Sequence, residues 1–391
     1  MHWRSRLIHP GAHAPAGFRS LATPTYRGST VLFERQADVA DDWQQKEHGY
    51  TYGLYGTPTV LELGARIAEL EAAHHSFVVP GGQAAIALIY LAFCRSGSHA
   101  LVPVTAYGPN REMGAGLLAR LGISVEAYDP LLGSGIAALI RENTALIWVE
   151  SPGSVTMEIQ DVPAIVAAAR ARQIPVALDN TYAAGVLFDA FAHGVDVSMQ
   201  ALTKYVGGHS DLLLGTVSVA GAAGYAAIGS VYKQLGLAVS PDDCSLALRG
   251  LQTLGVRLER LERTALDVAR WLAEHPAIKT VLHPALPSCP GHEYWLRDFT
   301  GSSSIFSIVF AERFTAGQVA RFADTLQLFK IGFSWGGVTS LVMLYPNLDR
   351  PQQDYGGRLL RLNVGLEESS DLIADLEQAL RTLDAPASEP V

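Results

Sequence analysis

The stretch FVVPGGQAAIALIYLAF, residues 77–93, decides the fold class. Three apolar, β-prone residues run into Pro80-Gly81-Gly82, and an apolar helical pattern begins immediately after them. A short strand, a glycine turn and a helix in that order open a βαβ crossover. Glycine at such a junction lets the backbone approach an anion closely, and the helix start offers unpaired N–H groups. The pattern is not G-x-G-x-x-G, so the dinucleotide fingerprint is absent.

The same alternation continues outward from about residue 58 to residue 220. ALVPV (100–104) precedes a helical stretch at about 110–121, and SVEAY, ALIWVE and PVALDN follow, with VPAIVAAARARQ between the last two. Runs apolar on both faces and separated by helices predict a mostly parallel sheet covered on both sides. LLLGTVSVA (212–220) is a candidate for one more strand. Residues 245–275 predict one long helix stopped by Pro276, with RLERLER as its solvated face. Beyond it, TVLH, SIFSIVF and LLRLNVG read as short strands beside two amphipathic helices. The expected division is an N-terminal arm at 1–57, a large α/β domain at 58–250 and a smaller α+β domain at 251–391. A chain of 391 residues exceeds what one core supports.

Composition narrows the function. A formal charge of −9 with no basic run argues against nucleic acid as a partner. The densest apolar run, residues 84–93, is far shorter than the roughly 18 residues a membrane span needs. MHWRSRLIHPGAHAPAG has no apolar segment with a small-residue cleavage site, so the expected location is cytoplasmic. Cys94, Cys244 and Cys289 are far apart and match no zinc or redox spacing. Buried structural thiols and no metal are the expectation. His74-His75 reads as the end of a helix, supporting its C-terminal dipole.

The chemistry concentrates in SMQALTKYVGGHSDLLLG, residues 198–215. Lys204 follows an apolar run and precedes a Gly-Gly-His turn, which places an amine on a sheet-to-loop segment. Such an amine can form an imine with an aldehyde cofactor. Asp179 ends the apolar strand PVALD, where α/β sheets place ligands. Pyridoxal 5′-phosphate (PLP) requires a carboxylate against its pyridinium nitrogen. The alternative for Asp179 is a turn or helix-cap role. Gly82 and Gln83 suit a phosphate, with Thr203 as an added hydroxyl, and Tyr107 could stack on a pyridine face. Arg361, inside the apolar pattern LLRLNVG, calls for a carboxylate partner, either a structural acid or a substrate.

Together these segments resemble the Cys/Met-metabolism family of PLP enzymes. TKYVGGHSD, LRGLQTLGVRL, RDFTGSSSIFS and SWGG at 334–337 carry the likeness, which extends from ATPTYRGSTVLF to RLNVGLEESSDLIADLEQAL. Within the family the β-lyase branch is the most similar. The resemblance implies a fold-type-I, aspartate aminotransferase-like PLP-dependent transferase fold. It implies PLP as cofactor, a sulfur amino acid as substrate, and a homodimer or homotetramer. It assigns Lys204 to the cofactor linkage, Asp179 to the pyridinium, Tyr107 to stacking, and Gly82, Gln83 and Thr203 to the phosphate. Arg361 and Ser334 match the residues around the substrate carboxylate, while Trp335 and Tyr232 match β-lyase active-site residues. Tyr52 matches a tyrosine reaching the phosphate from the neighbouring subunit. Three positions depart from the pattern: Leu54 stands where the family has a phosphate-binding arginine, Ala201 where a serine is common, and Thr339 where relatives carry glutamate. The activity implied is β-elimination from cystathionine-like substrates, with γ-elimination or γ-replacement as the near alternative and a PLP-binding protein without lyase turnover as the distant one.

Overall fold

A computed structural model describes residues 2–8, 21–45, 49–348, 350 and 354–384. Parts of the expected 1–57 arm lie outside them. The chain divides into two compact units, Met1–Ser151 with Asp161–Gly255, and Pro152–Gln160 with Val256–Val391. The boundary therefore falls at 255/256, and a short excursion from the middle of the chain joins the C-terminal unit. Helix Pro241–Glu274 runs unbroken through that boundary, so no loop or change of composition marks it in the sequence.

The first unit is built on seven strands: β1 His75–Val79, β2 His99–Pro103, β3 Ser124–Tyr128, β4 Thr144–Glu150, β5 Val176–Asp179, β6 Val197–Gln200 and β7 Gly215–Val219. Their order is β1-β7-β6-β5-β4-β2-β3, and β7 alone runs against the rest. Every residue of β2, β6 and β7 is buried, as expected for strands covered on both faces. Helices Pro58–Glu71, Gly82–Phe93, Val162–Arg170 and Ala222–Leu235 belong to the same unit. The Asp161 carboxylate caps the third by accepting from the Ala164 N–H at 3.3 Å, with a proline in the first turn.

His74-His75 does not end a helix. Helix Pro58–Glu71 stops at Ala72, which turns left-handed at φ 55°, and the His74 N–H already pairs with the Val219 carbonyl at 2.9 Å. His75 then opens β1. Pairing with β7 overrides the apparent helical continuation.

The second unit holds strands β8 Ile278–Leu282, β9 Ile305–Phe310, β10 Lys330–Ile331, β11 Leu341–Leu344 and β12 Leu359–Asn363, in the order β10-β11-β12-β9-β8. The sequence reading lacked β10 and β11, which are too short and too partly exposed to show an apolar period. Phe306, Phe310, Phe322, Leu372 and Leu376 form the centre of its core, beneath helices Ala316–Thr325 and Ser369–Leu380.

The excursion Pro152–Gln160 is held by this unit. Ser307 Oγ donates to the Val155 carbonyl at 2.6 Å, Cys289 Sγ to that of Met157 at 3.1 Å, and the Ile159 N–H to that of Pro290 at 2.9 Å. Val155 and Met157 sit at φ 72° and 61°, conformations that L side chains rarely adopt.

Candidate active site

Because β1, β2, β4, β5 and β6 run parallel, their carboxyl ends share one edge of the sheet. That edge carries the Pro80-Gly81-Gly82 turn after β1, Tyr107 shortly after β2, Glu150 ending β4, Asp179 ending β5, and Lys204 shortly after β6. Ligands of open α/β sheets bind at this edge.

Asp179 is partly buried. Its carboxylate accepts from the Thr181 N–H at 3.0 Å. Burial raises its pKa, while the Thr181 bonds and the Lys204 positive charge pull it back. Lys204 thus lies within electrostatic reach of Asp179. Its own backbone is locked into a turn: the Lys204 N–H reaches the Ala201 carbonyl at 3.0 Å and its carbonyl accepts from Gly208 at 2.7 Å. The His209 ring nitrogen bonds the Gly207 carbonyl at 2.7 Å and supports the same turn.

The turn after β1 suits a phosphate by shape and by donors. Helix Gly82–Phe93 has no side-chain cap at Gly81, and its first intrahelical bond is from Ala85 to the Gly81 carbonyl. A Cβ at Gly81 would meet nothing within 4 Å, whereas one at Gly82 would lie 3.0 Å from the Ala201 Cβ. The turn is therefore open outward and tight against the lysine segment. These residues fit PLP, with Gly82 and Gln83 N–H groups for the phosphate, Asp179 for the ring nitrogen and Lys204 for the aldehyde.

Other expected residues fall as follows. Tyr107 is half exposed and leads directly into helix Gly108–Met113. Its backbone N–H donates to the Glu150 carboxylate at 2.8 Å. Thr203 already donates to the Leu214 carbonyl and accepts from its N–H, both at 3.2 Å, so its hydroxyl reaches a phosphate only by turning. Tyr52 is half exposed, on a bend edge-on to Tyr55 with ring centroids 6.2 Å apart. Leu54, in the same bend, approaches Gly236. Tyr55 donates to Asp41 at 2.6 Å, and Lys233 lies over the Tyr55 ring at 5.7 Å.

Tyr232 is the remaining expected residue of this unit. Its side chain is 5% exposed and packs with Phe77 and Tyr225 in the core, where helix Ala222–Leu235 has turned it inward. The structure places its ring 5.4 Å from that of Phe77, between centroids.

In the C-terminal unit, Arg361 is buried on β12, with its guanidinium 3.4 Å from the Ser334 carbonyl and 5.3 Å above the Tyr345 ring. Asn363, two residues on, accepts from the Gly336 N–H at 2.9 Å and donates to the Thr339 carbonyl at 3.2 Å. These bonds fix the bend carrying Ser334, Trp335 and Thr339, and Ser334 itself sits at φ 77°.

The sequence reading missed Glu150. It ends ALIWVE just as Asp179 ends PVALD, and that shared pattern was the available signal. The cysteines are free and buried, and burial pushes their thiols up, to about 11 for Cys94 and about 12 for Cys244. Among the described residues no helix is long and apolar enough to cross a membrane, and no group of three or more His, Cys, Asp or Glu is placed to hold a metal.

A fold-type-I sheet with a lysine, a strand-end aspartate and a glycine-opened helix at one edge defines a PLP-dependent enzyme. The chain belongs to the Cys/Met metabolism PLP-dependent enzyme family, whose model matches residues 4–381. It is 40% identical over 383 residues to a cystathionine beta-lyase of Haemophilus influenzae, covering 95% of this chain and 96% of that one. The figures are the same for a cystathionine beta-lyase of Escherichia coli. An L-alanine/L-glutamate racemase of Wolbachia pipientis is 38% identical, covering 93% of each chain. Among solved structures, a cystathionine gamma-lyase from Lactobacillus plantarum complexed with L-serine superposes with a TM-score of 0.90 at 28% identity, covering 99% of this chain and all of that one.

Proposed function

We propose that the chain is a carbon–sulfur β-lyase acting on L-cystathionine or related cysteine S-conjugates. The products are a thiol (homocysteine from cystathionine), pyruvate and ammonia. The observation that carries this reading is the Lys204–Asp179 pair at the sheet edge, in a chain about 40% identical along nearly its full length to cystathionine beta-lyases. PLP, when bound, supplies the electron sink that allows bonds at the substrate α- and β-carbons to break.

With PLP bound, Lys204 would hold it covalently, and the lysine amine, when free, would take the substrate α-proton. Asp179 would hold the proton on the cofactor's ring nitrogen, and Tyr107 would offer its ring for stacking on the cofactor. Gly82 and Gln83 hold the phosphate through backbone N–H groups, joined by Thr203 and by Tyr52 of a neighbouring subunit. Arg361 binds the substrate α-carboxylate, with Ser334 and Trp335 beside it. The tryptophan favours β- over γ-chemistry. Tyr232, a buried side chain like Arg361, is assigned to the substrate by the resemblance. The protein works in the cytoplasm as a dimer that pairs into a tetramer; a fully active monomer on sedimentation would refute the shared site.

Removal of the α-proton by Lys204 also begins racemisation, and the Wolbachia relative makes that a second reading. One assay separates the readings. Cystathionine gives pyruvate by β-elimination and 2-oxobutyrate by γ-elimination, whereas a racemase gives D-alanine from L-alanine. Thiol release without pyruvate would overturn the β-lyase reading.

A further inference from the structure

Glu71 is a nearly fully buried carboxylate that no step above uses. It occupies the last position of helix Pro58–Glu71, where the helix dipole disfavours negative charge, and burial raises its pKa. An apolar residue of similar size often replaces a buried charge without loss of stability. Core packing alone therefore does not explain this glutamate.

Its partners show what it does. Ser198 donates to it at 2.6 Å, Ser218 donates to its other oxygen, and the Asn180 amide approaches at 3.5 Å. Ser76 hydrogen-bonds to Ser218 at 2.6 Å; with the Ser218 proton directed at Glu71, Ser76 is the donor. The three serines lie in register across adjacent strands, Ser76 opposite Ser218 and Ser218 opposite Ser198. One carboxylate thus ties β1, β7 and β6 together on one sheet face and reaches the residue that follows β5.

Each tied segment leads into the cofactor edge. β1 runs into the Gly81-Gly82 turn. Asn180 follows Asp179, and Thr181 caps the Asp179 carboxylate with its N–H while its Oγ1 accepts from the Ala201 N–H at 2.9 Å. Ala201 is three residues before Lys204 and touches the Gly82 turn. Gln200 adds a further side-chain hydrogen bond to the same carboxylate. A buried polar network whose members satisfy one another rigidifies its surroundings and specifies one geometry.

We propose that Glu71 is a positioning residue: by holding β1 and β6 in register through β7, and by reaching the residue after β5, it sets the spacing of Asp179, Lys204 and the phosphate turn. This rests on the cofactor site read above.

The test uses the holoenzyme. Glu71→Gln keeps the shape but replaces an acceptor oxygen with an N–H donor facing a serine hydroxyl. The expected result is a kcat lower by roughly ten- to a hundred-fold, the scale of a small displacement of reacting groups, with KM nearly unchanged. The visible band of the lysine-bound cofactor should also shift. Ser198→Ala, a milder change, should move kcat and band in the same direction and carries the test should Glu71→Gln fail to fold. Folded variants with wild-type kcat and an unshifted band would overturn the proposal. If the cofactor proves to be attached to another lysine, the site reading fails instead, and the two failures are distinguishable.

Discussion

Two neighbouring glycines offer a sharp test of where the phosphate sits. An alanine Cβ at position 82 would lie 3.0 Å from the Ala201 Cβ and 3.7 Å from the Met199 Cε. Ordinary contact begins at 3.4 Å, so the overlap is 3.4 − 3.0 = 0.4 Å. Overpacking of this kind costs about 1–3 kcal/mol. Restricting the unfolded chain offsets up to about 1 kcal/mol of it. Gly82→Ala should therefore destabilise even the apoprotein, by about 0–3 kcal/mol. Position 81 differs. Its φ of 172° is extended backbone open to any residue, and an added methyl meets nothing within 4 Å. Gly81→Ala should leave the apoprotein as stable or more stable by about 0.4–1 kcal/mol. With the phosphate on this turn, the added methyl would take up part of the open space there. Losing one charge-assisted bond there removes about 1.5–3 kcal/mol, which weakens PLP binding roughly ten- to a hundred-fold. Thermal unfolding of the apoprotein, paired with PLP titration, measures both quantities. Gly81→Ala with wild-type PLP affinity would show that the phosphate does not rest on this turn.

Three further outcomes are expected. Lys204→Ala should abolish the visible absorbance and the lyase activity; a borohydride-reduced digest with the pyridoxyl group on a different lysine would contradict the assignment. Asp179 has a raised pKa in the folded apoprotein, so its contribution to stability is fully present below the unfolded pKa and is lost as pH rises through the folded one. Asp179→Asn should accordingly stabilise the apoprotein at neutral pH while removing activity, and urea melts at acidic and neutral pH would expose a wrong sign. Tyr52→Phe should lose PLP faster than wild type on dialysis, because Leu54 offers no charge to the phosphate; equal loss rates would mean that Tyr52 makes no such contact.

How far the sequence could be read depended on how local each signal was. Strands buried on both faces, such as ALIWVE and PVALD, announce themselves by composition, and so does the glycine turn after FVV. Lys204 and Asp179 were legible because each interrupts an apolar run with a charge. Glu71 was not, since a glutamate at a helix end reads as solvated until β6 and β7 are seen folded over it. Tyr232 was legible only through the resemblance, because nothing local shows that its helix turns the ring toward Phe77. His75 shows the same limit, because only pairing with β7 reveals it as strand. The excursion at Pro152–Gln160 left no trace in periodicity, and its partners lie more than a hundred residues away.

That excursion also bears on the order in which the protein is made. Synthesis delivers the N-terminal part first, and domains generally fold as they emerge. When Val155 and Met157 leave the ribosome, Cys289 and Ser307, the residues that hold them in their left-handed conformations, have not yet been translated. The sheet from β1 to β7 can close early, but the stretch between β4 and helix Val162–Arg170 must wait, unanchored, for much of the remaining translation. A nascent chain stalled after residue 255 should therefore be cut by protease at 152–160, a site sealed once β9 is in place.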